Sequence, residues 1–133
     1  MLLTSLVGCS AEVDMEAATD SSAPGAAGAS FAATVLPLVN QACNCHQSSP
    51  ILMAPFSLKP GEAYDNLVRK PSQQVVGMVL VEPGSLNGSY LWFKVNGTQA
   101  EVNGMGQIMP PTVPLIGEER SIIERWIAAG APR

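Results

Sequence analysis

Few large side chains, set against long loops, constrain this chain most. From residue 30 onward it has only three Phe, two Trp and two Tyr. Its helix-forming stretches are short, and the segments 47–60 and 96–114 between them are long and rich in Pro, Ser or Gly. A domain of about a hundred residues with so thin a core needs a staple. Disulfides are a poor source. Cys9 sits in a leader, and Cys43 and Cys45 are separated by a single residue. A bound cofactor is the staple that remains.

Charge narrows the partner classes. Seven basic residues stand against eleven acidic ones, for a net charge of −4, and no run of Lys or Arg occurs. That balance argues against a nucleic-acid partner. No apolar run reaches the roughly 18 residues that a membrane-spanning helix requires. The acidity is local: Glu12, Asp14, Glu16 and Asp20 precede residue 30, and residues 30–133 hold seven acids and seven bases. The expected folded part is neutral.

Residues 1–8 (MLLTSLVG) read as the apolar end of a secretory signal, with Cys9 directly after it. No Lys or Arg precedes this stretch, which leaves room for an n-region upstream of Met1. Leu6-Val7-Gly8-Cys9 resembles the bacterial lipobox, in which the Cys is acylated and becomes the new N-terminus. Several acyl chains on one residue anchor stably where one does not. Ser10, rather than Asp, follows the Cys, and the resemblance then implies the outer membrane. The rest of the segment 9–29 is small, acidic and almost free of large apolar groups, as a disordered tether would be. Twenty such residues span on the order of 25 Å.

The domain proper is expected over 30–133 and is mainly α, with short helices joined by long loops. Ser30 can cap a helix that places Phe31, Val35, Leu38 (or Val39) and Ala42 on one face. Pro37 inside it implies a kink or an irregular first turn. Residues 61–69 predict a short helix with Tyr64, Leu67 and Val68 inward. Val75–Val81 suits a strand with Met78 in its core, or an extended loop, since no second strong strand exists to pair with it. A helix over 88–95 starts from Asn87 or Ser85. Gly117–Ala129 is amphipathic, with Ile122, Ile123, Trp126 and Ile127 inward, Glu118 and Glu119 at its positive end, and Gly130 closing it.

Cys43-Asn44-Cys45-His46 carries the chemistry. His46 is the only His in the chain. The haem-attachment signature is C-x-x-C-H: two thiols bond to the porphyrin edge and the adjacent imidazole ligates the iron. Here the Cys-His pair is intact and the first Cys is one residue closer, with Ala42 in its usual place. On a helical turn, Cys43 points about 100° away from that position.

The wider order of motifs resembles a family. An apolar helix leads into Cys45-His46, and Glu82-Pro83-Gly84, Ser89-Tyr90-Leu91, Met109-Pro110 and Trp126-Ile127-Ala128-Ala129-Gly130-Ala131 follow. Residues 31–132 are similar to the single-haem class I cytochrome c domains of bacterial lipoproteins, especially the divergent myxobacterial and planctomycete sets. The resemblance implies a few helices around one haem c, with His46 as proximal ligand and Met109 as distal ligand. It implies a thioether through Cys45, with Cys43 as the uncertain second one. Met105 and Met53 are the rival sixth ligands. Tyr90 and Trp92 are helix-face residues that could also reach a propionate.

Three functions follow. The first is an electron carrier, not an enzyme, that meets redox partner proteins in the periplasm or at the outer membrane, touching the membrane only through its lipid anchor. The second is a haem-free copper or zinc site built on Cys43, Cys45 and His46, completed by Met105 and Met109. The third is a degenerate cytochrome-like interaction module. A catalytic Cys-His dyad is disfavoured, because adjacent residues cannot readily bring thiol and imidazole together and no acidic orienter follows.

Overall fold

Ser30 opens the first helix as its side chain predicts. Its Oγ accepts from the Ala33 N–H at 3.2 Å, and Thr34 Oγ1 donates to its carbonyl at 2.8 Å. The computed structural model describes residues 30–48 and 56–133; the leader, Cys9, the tether and Met53 lie outside them. Pro37 has no N–H to give to Ala33, and the backbone ahead of it widens. Phe31–Val35 is a π-helical turn in which Leu36 N–H reaches Phe31 O, and α1 (Leu36–Ala42) follows with Pro37 in its first turn. Phe31, Val35, Leu38 and Val39 are all buried, so the wider turn brings both Leu38 and Val39 inward. Ala42 is half-buried against them.

Four more helices follow among the described residues: α2 (Cys45–Ser48), α3 (Ala63–Leu67), α4 (Tyr90–Asn96) and α5 (Gly117–Ala128). A 3-10 turn, Gln99–Val102, succeeds α4. The described residues contain no strand, and no helix among them is long and apolar enough to cross a membrane. The architecture is mainly α, with long loops.

Two elements depart from expectation. The run 75–81 does not form a strand. Ser72 Oγ instead accepts from the N–H groups of Gln74 and Val75, and Gly77 turns the chain at φ +86°. Val76 is left fully exposed at the tip and Met78 half-buried, while only Val81 reaches the core. Isolated bridges tie Val81 to Val68 and Val79 to Pro71 and Ser89. These same bonds shorten the helix expected at 61–69. Arg69 N–H donates to Val81 O and Val81 N–H to Leu67 O, so α3 ends at Leu67. The α4 helix likewise starts later than Asn87 or Ser85. Ser89 stands at its N-cap, but its hydroxyl is used sideways, accepting from Glu82 N–H and donating to Ser85 O.

The core closes the chain's two described ends on each other. Phe31 lies 5.4 Å from both Trp126 and Tyr64, edge-on to the latter. Trp126 Nε1–H and the Phe31 N–H both donate to Pro132 O, and Tyr64 OH donates to Ala131 O. Glu119 Oε2 accepts from Ile116 N–H at 2.8 Å and fixes the start of α5, whose inward face holds Ile123, Trp126 and Ile127. This clamp leaves the space between α2, α3 and α4 open.

Candidate functional site

That space is a cavity of about 480 Å³, within the range of small-molecule and cofactor sites. Leu67 from α3, Leu91 and Val95 from α4, and Leu58 and Leu80 from the loops supply apolar wall. Three of its lining residues carry soft or imidazole donors, Cys43, His46 and Met109, beside the harder side chains of Lys70, Ser72, Tyr90 and Lys94.

The break after α1 decides what the motif presents. Cys43 caps α1, and α2 begins only at Cys45, joined by His46 N–H donating to Cys43 O at 3.0 Å. The interruption turns Cys43 and His46 to the cavity and leaves Cys45 exposed, outside its wall. The sequence favours Cys45 over Cys43 as the thioether thiol; of the two, Cys43 is the one that lines the cavity. Burial, and then the neighbouring Cys45, push the Cys43 thiol up to about 11. It is a protonated thiol at neutral pH.

His46 stacks at a tilt on Phe56, with ring centroids 5.2 Å apart, and its carbonyl accepts from Leu58 N–H. Burial holds the imidazole's pKa below its ordinary value, which favours the neutral, ligating form. Its Nδ1 is buried and has no hydrogen-bond partner. In a metal-bound imidazole the non-ligating nitrogen donates to a carbonyl, carboxylate or water.

Met109 enters from the long loop, where its N–H donates to Lys94 O at 2.9 Å. The rival Met105 has its side chain 66% exposed. Tyr90 lines the cavity and its OH donates to Gln74 Oε1, tying the start of α4 to the 72–77 turn across the rim. Trp92 is half-buried and is not part of the wall. Lys94, which the sequence reading passed over, is buried in the wall and donates from Nζ to the carbonyls of Met105 and Gln107, at 3.0 and 2.6 Å. Burial lowers its pKa from the ordinary lysine value. The available signal was a lone charge in the apolar run Tyr90–Val95.

Among the described residues, no three His, Cys, Asp or Glu side chains group as a metal centre would require. Compared with protein-family models, with curated proteins and with solved structures, the chain matches none. What the site can do therefore follows from its donors: a neutral imidazole and a thioether sulfur facing one apolar cavity, with the half-buried Cys43 thiol in the same wall.

Proposed function

We propose that this chain is a haem-binding electron-transfer protein, with one c-type haem held covalently in the cavity and His46 and Met109 as its axial ligands. The observation that carries the reading is the meeting of His46, Cys43 and Met109, from opposite ends of the domain, on one apolar cavity. The donor set fits the group. A neutral nitrogen and a soft sulfur are the His/Met pair of cytochrome iron, while His46 Nδ1 is buried without a hydrogen-bond partner. When bound, the haem supplies reversible one-electron chemistry at a potential raised by Met ligation.

The chain's own residues do the rest. His46 and Met109 would hold the iron with protein donors alone, and the reading is a carrier rather than an enzyme. Leu67, Leu91 and Val95 exclude water from the cavity, which disfavours extra charge there. Attachment is supported first at Cys43. Cys43 would hold the group through a thioether, formed by addition of its S–H across a vinyl group with no oxidant consumed. Cys45 is the second candidate.

The reading extends to the leader: export, lipidation at Cys9 and electron exchange with redox partner proteins at the outer membrane. A haem-free copper or zinc site finds less support, since Cys45 stands apart from Cys43 and His46.

The test is intact-mass and peptide mapping of protein made alongside a cytochrome maturation system. The expected wild-type product carries one haem, Cys45→Ala keeps it and Cys43→Ala loses it. The reverse pattern assigns the bond to Cys45, and a product that never gains the mass overturns the function.

A further inference from the structure

Lys94 is the cation that the cavity does not explain. It is only 8% exposed, and no carboxylate pairs with it among the described residues. Burying an ammonium is costly unless its donors are used. Here both bonds go to the loop that carries Met109, through the carbonyls of Met105 and Gln107. The backbone of the same residue takes a third, since Lys94 O accepts from Met109 N–H. Gln99, also buried, donates from Nε2 to Gly106 O at 2.7 Å, inside the same stretch of loop. The three Lys94 contacts hold residues 105–109 onto α4, and the Gln99 contact holds them onto the 3-10 turn that follows it. An apolar side chain of equal length would fill the space without holding the loop.

We infer that Lys94 is the positioning residue for Met109: it pins the Gly-rich loop from beneath and keeps the sulfur over the cavity. The inference rests on the proposed His46/Met109 ligation. It assigns the lysine neither to the ligand set nor to the surface, and it gives Gln99 the part of a second strut.

The test uses the haem-loaded protein with Lys94→Met, which keeps the stem and removes the donors, and with Lys94→Arg, which restores them. Lys59→Met, an exposed lysine outside the cavity wall, is the control. The readouts are the weak Met-sulfur-to-iron charge-transfer band and a titration with external imidazole, which competes with Met109. Losing two charge-assisted bonds should loosen the loop enough for Lys94→Met to bind imidazole about tenfold more tightly or better. Its charge-transfer band should fade, Lys94→Arg should recover most of both, and the control should match wild type. An unchanged band and imidazole affinity in Lys94→Met overturns the inference and leaves the haem reading standing. A wild-type protein that holds haem but lacks the band overturns the ligation on which the inference rests.

If the purified chain carries no haem, amide hydrogen exchange over 104–109 decides the pinning alone. Faster exchange in Lys94→Met than in the control supports it, and equal exchange overturns it. Should Lys94→Met fail to fold, Gln99→Met replaces it with the same expected direction.

Discussion

Cys43 and Cys45 are two residues apart and chemically unlike. Cys43 is half-buried in the cavity wall with its thiol raised to about 11, while Cys45 is exposed. In protein free of any prosthetic group, iodoacetamide should label Cys45 first and Cys43 more slowly; equal rates would contradict the placement. The linkage has a definite sign. Between the ordinary thiol value of 9.0 and about 11, the folded state keeps a proton that the unfolded chain releases. Stability should therefore fall as pH rises through that window, and the Cys43→Ala variant should lose that part of the slope. Gly104 is set just as tightly. A Cβ there would lie 2.7 Å from the Tyr90 ring and 2.8 Å from Gln99 O, the carbonyl that binds its own N–H. Gly104→Ala should cost about 1–3 kcal/mol, read by chemical denaturation. A cost near zero would mean that the Tyr90 side of the rim is looser than described. Cys43, His46 and Met109 were legible at this scale because each carries a distinctive chemistry. Lys94 was not, because a lysine is exposed by default and only tertiary contacts bury it.

Helices with a strong face were the legible elements. The residues Ile123, Trp126 and Ile127 repeat at helical spacing, and α5 lies close to where that spacing puts it. The first helix was readable too, including the disturbance ahead of Pro37, although not its form as a π turn. The run 75–81 was readable only as one of two options. Composition favours a strand, but a strand needs a neighbour, and the chain offers only single bridges. Helix starts shifted where a side chain was claimed from elsewhere, as Ser89 was by Glu82 and Ser85. The most consequential element contact joins the first helix to α5 through Phe31 and Trp126. Trp126 is fully buried and its indole N–H holds Pro132 O, so Trp126→Ala should destabilise the domain by about 3–5 kcal/mol. Thermal or denaturant unfolding checks this; a loss under about 1 kcal/mol would contradict the clamp.

At the scale of the whole molecule, a thin core and a large cavity belong to one design. The aromatic clamp closes one side of the domain and leaves about 480 Å³ open on the other. That is the arrangement expected of a small chain stabilised by what it binds. The scarcity of aromatics and disulfides was legible in the sequence. The cavity was not, because it is assembled from residues far apart in the chain. The described part of the chain carries little net charge to steer a partner, since residues 30–133 balance seven acids with seven bases. The central claim is a covalent haem in that cavity, and a pyridine haemochrome spectrum after acid–acetone extraction tests it most directly. The account predicts pigment that stays with the protein, with an α-band between those of haem with two thioethers and haem with none. A folded protein that is colourless, or that gives up all its pigment to the solvent, would contradict it.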